Sequence, residues 1–411
     1  MRDPKVWARL LGVKGCMVEG VDLEGEVLVV KVRPDGRRRP RCGRCGKLAP
    51  LYDRGDGRRR WRTLDLGSTR SYLEAPAPRV LCPRHGVVVA EVPWADHGAR
   101  STRSFDEQVA WLAVRCDQSA TSELMRISWR TVGWIVARVS ERLGAGQARL
   151  DGLRRIGIDE TSFRKGQRYL IVVVDHDTGR LVWMAEGRDE AALDRFFYEL
   201  GSERAKLITH VTADAGSWIA NVVALRCPQA VRCMDTFHVV QWATDALDEV
   251  RRQVWNAARR KNKKLAADLK GARFALWKGG DRLSARQQAK LDWIEKTNQP
   301  LYRAYLLKEQ IRLVFQLPFD DALDLIDVWL DWALDSGLEP FVRLAKTITN
   351  HLDPILATLV HGLTNARIEG LNTRIKLIIR RAFGFHSAKP IIGLAMLSFG
   401  GLQPSLPGRA A

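Results

Sequence analysis

The chain has 411 residues, 46% of them apolar and 27% charged, enough for several domains and a sizeable core and too apolar for wholesale disorder. Lys and Arg number 66 against 47 Asp and Glu, a net charge of +19, which points to a polyanionic partner bound through counterion release from a phosphate backbone. A membrane surface is the competing partner; the sequence has no long apolar span and no Lys-rich amphipathic terminus to support it.

The basicity is uneven, with 22 Lys and Arg against 12 acids in residues 1–104. The start, MRDPKVWARLLGVKG, lacks the apolar core of a signal peptide, so a cytoplasmic protein is expected. Seven cysteines, four of them scattered, suit a reducing compartment better than a disulfide framework. In VEGVDLEGEVLVVKVRP, Leu28, Val30 and Val32 form a wholly apolar strand face just after a turn at Glu24–Gly25, which predicts a β-hairpin. Cys42-x-x-Cys45 and Cys82-x-x-His85 then offer three thiolates and an imidazole, a closed set suited to structural Zn²⁺. Free buried cysteines are the competing reading. Between the pairs lies Arg58-Arg59-Arg60-Trp61-Arg62. As a solvated loop it needs no explanation; beside a zinc site, Arg58, Arg59, Arg60 and Arg62 are expected at DNA phosphates.

Residues 101–143 have the rhythm of a helix-turn-helix. Phe105, Val109, Leu112 and Ala113 mark a first helix and Ser119–Met125 a second. Ser128 caps a third, Trp129–Leu143, with Val132, Ile135, Val136 and Val139 facing inward. Arg130, Thr131 and Trp134 near its start would face the major groove. An ordinary three-helix bundle shows the same pattern.

After a small-residue linker, strands are expected at Arg155–Phe163, Tyr169–Val174 and Leu181–Ala185. A helix over Asp189–Leu200, a strand at Ile208–Ala213, a helix over Ser217–Arg226 and a strand at Ala230–Met234 follow. The order β-β-β-α-β-α-β is that of the ribonuclease H-like fold, in which strands one and four are central neighbours. Phe237–His361 is helical throughout and predicts an insertion into that fold. Its basic run Arg259–Lys264 suits either a solvated surface or a phosphate contact.

Asp159 falls mid-strand in the first strand and Asp214 at the end of the fourth, so the two converge. Carboxylates without nearby Cys or His suit a hard cation such as Mg²⁺. The third acid is Glu369, on the helical stretch Thr364–Arg381. At roughly 100° per residue, Ile368, Leu371, Ile375, Ile378 and Ile379 form its apolar stripe. Asn365, Glu369, Asn372, Lys376 and Arg380 form the adjoining polar one. Taken alone, Glu369 among Arg367, Arg374, Lys376 and Arg380 suits a structural ion pair. With Asp159 and Asp214 it completes a two-ion site, the cations holding DNA over it and Asn365 and Asn372 bordering it. Glu160 should point to the opposite strand face. Asp235 rivals Asp214, and the adjacent His238 is either a group behind the site or a helix-start histidine.

The blocks RIGIDETSFRKGQRYLIVVVDHDTGRLVW, ITHVTADAGSWI, MDTFHVVQWATDALDEVRRQVW and TNARIEGLNTRIKLIIRRAFGF resemble the DDE transposases of bacterial insertion sequences, of the ISL-three type. The resemblance extends over most of the chain. By position it implies a catalytic triad of Asp159, Asp214 and Glu369 with two Mg²⁺ or Mn²⁺ ions. It implies cleavage at transposon ends without a covalent protein–DNA intermediate, then transfer of the freed 3′-OH to target DNA. The partners would be double-stranded DNA, as terminal inverted repeats and as target, and a second copy in a dimer or larger synaptic complex. The setting would be the bacterial cytoplasm at the nucleoid. His85 stands where the family usually has cysteine. The expected architecture is multidomain, with α+β and α/β parts. It comprises a hairpin and zinc-binding domain at 1–100, a helix-turn-helix at 101–145 and a catalytic core at 152–238. An α-helical insertion at 239–361 and the core's C-terminal helix at 362–411 complete it. The readings set against it are an idle transposase-derived DNA-binding regulator and a metal-dependent ribonuclease H-like nuclease.

Overall fold

The computed structural model describes residues 4–11, 15–164, 166, 168–382 and 384–409. Residues 1–3 and 12–14 of the N-terminal stretch, and Lys165, Gln167 and Phe383 of the quoted blocks, lie outside them. Contacts divide the chain into two units, Met1–Gly146 with Ile378–Ala411, and Gln147–Leu377.

The first unit begins with α1 (Pro4–Leu10) and the expected hairpin, β1 (Cys16–Glu24) and β2 (Val27–Pro34). Gly25 turns it in the left-handed region, at φ +61°, where a side chain is disfavoured. The strands β3 (Leu51–Asp53), β4 (Arg58–Leu66), β5 (Thr69–Pro76), β6 (Arg79–Cys82) and β7 (Gly86–Val89) follow. They form two sheets, β1-β2-β5-β4 and β3-β6-β7. The first closes over Val30, Val32, Trp61, Leu73 and Trp94.

The helix-turn-helix is α2 (Arg103–Arg115), α3 (Gln118–Met125) and α4 (Trp129–Leu143). Each helix starts on a side-chain cap: Thr102 accepts from the Phe105 N–H, Asp117 from Ala120 and Ser128 from Thr131. The tight turn before α4 passes through Arg126 at φ +53°. Phe105, Val109, Val132, Ile135, Val136 and Val139 are buried together with Leu394 and Leu397 of the C-terminal helix Ala388–Phe399.

The second unit holds β8 (Arg155–Arg164), β9 (Arg168–Asp175), β10 (Leu181–Glu186), α5 (Glu190–Leu200), α6 (Ser202–Ala205), β11 (His210–Ala213), α7 (Ser217–Arg226) and β12 (Val231–Met234). The sheet order is β10-β9-β8-β11-β12. The first three strands are antiparallel, and β11 runs parallel to both β8 and β12. Strands one and four are thus central neighbours, as the element order predicts; α6 is the one short addition. Leu170–Val174 is fully buried, as an unbroken β-branched run in a covered strand should be.

Eight helices follow: α8 (Thr236–Lys261), α9 (Lys263–Lys270), α10 (Arg273–Trp277), α11 (Ala285–Thr297), α12 (Gln299–Val314), α13 (Phe319–Asp335), α14 (Glu339–Asn350) and α15 (Leu352–His361). They bury a core of their own, including Leu247, Val250, Leu307, Ile311, Trp329 and Phe341. The Trp329 indole N–H is satisfied by the Leu307 carbonyl at 2.8 Å. Among the described residues no helix is long and apolar enough to cross a membrane. The chain then enters α16 (Ala366–Arg381), which belongs to the second unit through Leu377.

Candidate active site and DNA-binding surface

Asp159 lies in the middle of β8. Register pairs Gly157 with Thr212 across the parallel β8–β11 ladder. Carried two residues further, that register sets Asp159 beside Asp214, the first residue beyond β11. The Asp159 carboxylate accepts two hydrogen bonds, from the Glu160 N–H on Oδ1 and from Asn372 Nδ2 on Oδ2, each 2.7 Å. Burial pushes this carboxyl up to about 6; the Glu160 N–H opposes the rise, and the charges of Asp214 and Asp235 add to it. Asp214 is half-buried, with Oδ1 accepting from the Gly216 N–H at 2.9 Å. Its carbonyl accepts from Arg232 at 3.1 Å.

Glu369 sits in the first turn of α16 and is solvent-exposed. Partial burial of its carboxyl, then the charge of Asp235, holds it above the usual carboxylate range. Asp235 is only 3% exposed. It caps α8 by accepting from the Phe237 N–H at 3.2 Å, and His238 Nε2 lies 3.8 Å from it. Burial pushes its carboxyl up as well. Asp235 thus holds a helix end while its charge acts on both Asp159 and Glu369.

What brings α16 to the sheet is Gly157. A Cβ there would stand 2.1 Å from Ile368 Cδ1, 2.7 Å from His176 Nε2 and 2.9 Å from Thr212 Oγ1. The apolar stripe of α16 seats on that bare backbone, and Glu369 follows one residue after Ile368. Gly157→Ala is expected to overpack this contact, costing about 1–3 kcal/mol. The check is a lower Tm accompanied by reduced DNA cleavage.

Two polar residues at this site escape sequence reasoning. Strand alternation sends Glu160 away from Asp159. Its side chain is nevertheless buried against Arg188, and burial lifts its carboxyl to about 7, with the charges of Asp214 and Asp159 adding to the rise. Arg232 looks like an ordinary cation in β12, and only the fold brings it to the Asp214 carbonyl.

Cys42, Cys45, Cys82 and His85 form the one group of three or more Cys, His, Asp or Glu among the described residues whose ligand atoms all lie within 4.8 Å of one another. Among the described residues, the acids of the second unit form no such close group. The two halves of the thiolate–imidazole site are alike. Cys42–Cys45 ends in Gly46 at φ +68° and Cys82–His85 in Gly86 at φ +65°, each closing a tight knuckle. Cys45 Sγ is 3.8 Å from Cys82 Sγ, and His85 Nδ1 is 3.6 Å from both Cys42 Sγ and Cys82 Sγ. A tetrahedral ion with bonds of about 2.3 Å to sulfur sets its sulfurs about 3.8 Å apart, so the set fits Zn²⁺. Burial alone would raise the Cys82 thiol. The N–H groups of Arg84 and His85 and the His85 ring outweigh it and bring the thiol down to about 6, toward the thiolate that binds metal.

The arginine run of β4 needs correction. Arg62 is 7% exposed, paired with Asp65 and donating to the carbonyls of Thr63 and Ser71. Its guanidinium lies 5.0 Å from the centre of the Phe105 ring, so it ties the sheet to α2 and cannot reach a phosphate. Arg58 and Arg60 share Glu74, and Arg60 also grips Glu24 through two 2.9 Å bonds. Arg59 is exposed and lines an open cleft of about 1400 Å³ with Arg44, Arg100, Trp134 and Lys389. Arg130 and Thr131 are exposed, as is Trp134 at 51%. On α16, Arg374, Lys376 and Arg380 are exposed, whereas Arg367 donates to the His176 carbonyl and clamps the helix start to the end of β9.

Family models match three parts of the chain. A transposase family model of the ISL3 type matches residues 156–392. A model of the helix-turn-helix domain of transposase family ISL3 matches 90–140, and one of the zinc finger of the IS204/IS1001/IS1096/IS1165 transposases matches 38–85. The transposase for insertion sequence element IS1557 of Mycobacterium tuberculosis is 50% identical over 436 residues, spanning 100% of this chain and 98% of the relative. The transposase for insertion sequence element IS1001 of Bordetella parapertussis is 27% identical over 391 residues, 94% and 95% of the two chains. The class these matches define is the insertion-sequence transposases, DNA-binding through a helix-turn-helix. Within that class, this chain belongs to the ISL3 family.

Proposed function

We propose that this chain binds the terminal inverted repeats of its insertion sequence, hydrolyses the phosphodiester at each end and joins the freed 3′-OH to target DNA. The carrying observation is the β8–β11 register, which sets Asp159 beside Asp214, together with the 2.7 Å bond to the Asp159 carboxylate from Asn372 of α16, the helix that carries Glu369. The β-β-β-α-β-α-β order supports a ribonuclease H-like core over 152–238 and an α-helical insertion over 239–361. The closing segment expected at 362–411 belongs with this core only through Leu377, where it carries the third acid; Ile378–Ala411 falls in the first unit. Residues 1–100 and 101–145 are the zinc-binding and helix-turn-helix domains of this reading.

Asp159, Asp214 and Glu369 hold two divalent ions, Mg²⁺ or Mn²⁺. The donor set is oxygen-rich and cysteine-free, as hard cations require. Mg²⁺ keeps several waters and takes few carboxylates, so its binding does not need the acids to meet at one point. Two such ions supply activation of the attacking oxygen and stabilisation of the leaving 3′ oxygen. The same acids serve cleavage and joining, since both are in-line displacements at phosphorus. Arg374, Lys376 and Arg380 hold the DNA backbone. Asp235 and His238 support the acids from behind. Because two ends must be joined, the working form is a dimer or larger synaptic complex.

End recognition falls to α4, with phosphate contacts from the basic first unit. Arg130→Ala is expected to cost about 1–3 kcal/mol on cognate ends and to relax sequence preference. Arg59→Ala should weaken cognate and scrambled DNA alike, in titrations of both DNAs at one fixed salt concentration.

The direct experiment is incubation with Mg²⁺ and DNA carrying the element's own flanking repeats, mapping each nick. A new 3′-OH at the element boundary is expected. Specific binding with no cut under any divalent ion would contradict enzymatic function and favour a DNA-binding regulator.

A further inference from the structure

Asn365, the residue just before α16, and Asn372 within it lie seven residues apart, with Glu369 between them. Both are buried, at 1% and 6% exposure. Asn372 Nδ2 donates to Asp159 Oδ2 at 2.7 Å. Its Oδ1 has no hydrogen-bond partner among the described residues, and neither Oδ1 nor Nδ2 of Asn365 has one. Buried amides in proteins are overwhelmingly paired; in this chain Gln229, for example, gives its Nε2 to the carbonyls of both Ala205 and Ile208. Three unpaired amide atoms on the one helix that meets the acid-lined end of the sheet need a polar occupant.

The Asp159 carboxylate supplies the other half of the argument. Each of its oxygens takes one hydrogen bond, Oδ1 from the Glu160 N–H and Oδ2 from Asn372. Those two bonds fix the carboxylate plane and leave one lone-pair direction free on each oxygen. The helix that brings Glu369 thus also orients an acid of the central strand.

We propose that Asn372 and Asn365 are positioning residues for the divalent ions. Asn372 locks the Asp159 carboxylate, and the unpaired amide atoms of both residues take the ions' water molecules. Mg²⁺ and Mn²⁺ retain such waters in protein sites, and groups behind the ligands commonly set metal affinity within about 10–100-fold. This inference rests on the reading of Asp159, Asp214 and Glu369 as ligands. The rival reading makes Asn372 a plain bridge between α16 and β8.

The test is Mn²⁺ binding to the full-length, zinc-loaded protein without DNA, followed by the electron paramagnetic resonance of free Mn²⁺. Asn372→Ala is expected to weaken binding about 10–100-fold, and Asn365→Ala about 10-fold. End-DNA binding without Mn²⁺ should stay at the wild-type value, showing that the fold is intact. A merely structural bridge would lower Tm in the Asn372 variants while leaving the Mn²⁺ affinity of the folded protein unchanged. Asn372→Leu, close in volume and without polar atoms, gives the same readout should the alanine variant fold poorly. Mn²⁺ affinity within twofold of wild type in either folded Asn372 variant overturns the proposal. Asp159→Asn separates the two levels. If it loses Mn²⁺ binding while the Asn372 variants do not, only this inference fails. If it too binds as wild type, the ligand reading fails and takes this inference with it.

Discussion

Asp159→Asn, Asp214→Asn and Glu369→Gln are each expected to lower end cleavage about 10³-fold or more, with binding of end DNA unchanged. Each replacement keeps shape and removes the negative charge that holds a cation. Losing several kcal/mol of charge stabilisation in the transition state corresponds to about that factor. End binding should survive, because the α4 surface and the basic first unit carry it and none of the three acids belongs to either. Asp235→Asn separates the rival assignments. Asp235 already caps α8, and in the proposed reading it supports the ligands rather than joining them, so its loss should cost about 10–100-fold rather than everything. The measurement is single-turnover cleavage of labelled ends alongside a binding titration. Full cleavage by any of the first three variants would falsify its place in the triad. A larger loss from Asp235→Asn than from Asp214→Asn would exchange those two residues.

Stripping zinc, or replacing Cys42 and Cys82 by Ser, is expected to unfold the segment around 38–85 and to weaken end binding. The apolar core there is small: Cys42, Ala49, Val80, Cys82 and Val88. Two of those five are the ligands themselves. A structural Zn²⁺ contributes about 10–16 kcal/mol of apparent binding energy in small domains, far more than so few side chains supply by burial. Hydrogen exchange reads the outcome locally. Amides of β6 and β7 should lose protection on chelation, while those of α4, whose core of Val132, Ile135, Val136 and Val139 is separate, keep theirs. Unchanged protection in β6 and β7 after chelation would mean that the three cysteines and His85 fold without metal.

Much of this arrangement was legible in the residues because it rests on periodicity and local chemistry. The unbroken run Tyr169–Val174 could only be a covered strand. The cap Ser128 and the inward set Val132, Ile135, Val136 and Val139 marked the helix-turn-helix. The order of strands and helices then set Asp159 near Asp214 by topology alone. What stayed hidden depends on tertiary packing. Arg62 sits in a run of arginines that looks solvated, yet α2 closes over it and Asp65, with two backbone carbonyls, satisfies its charge. Arg367 looks like a free cation until the end of β9 offers it a carbonyl. Glu160 alternates to the strand face opposite Asp159, and its burial against Arg188 is a tertiary contact that alternation does not show. Gly157 carried no visible message at all, because its meaning is the space that Ile368 takes from it.

The central claim is that Asp159 binds the catalytic cation directly, and a change of metal preference tests it most closely. Asp159→Cys puts a soft thiolate where a hard carboxylate stood. The account predicts end cleavage lost with Mg²⁺ and recovered, at least in part, with the more thiophilic Mn²⁺, at the same nick position as wild type. Wild-type cleavage by Asp159→Cys with Mg²⁺ would contradict it.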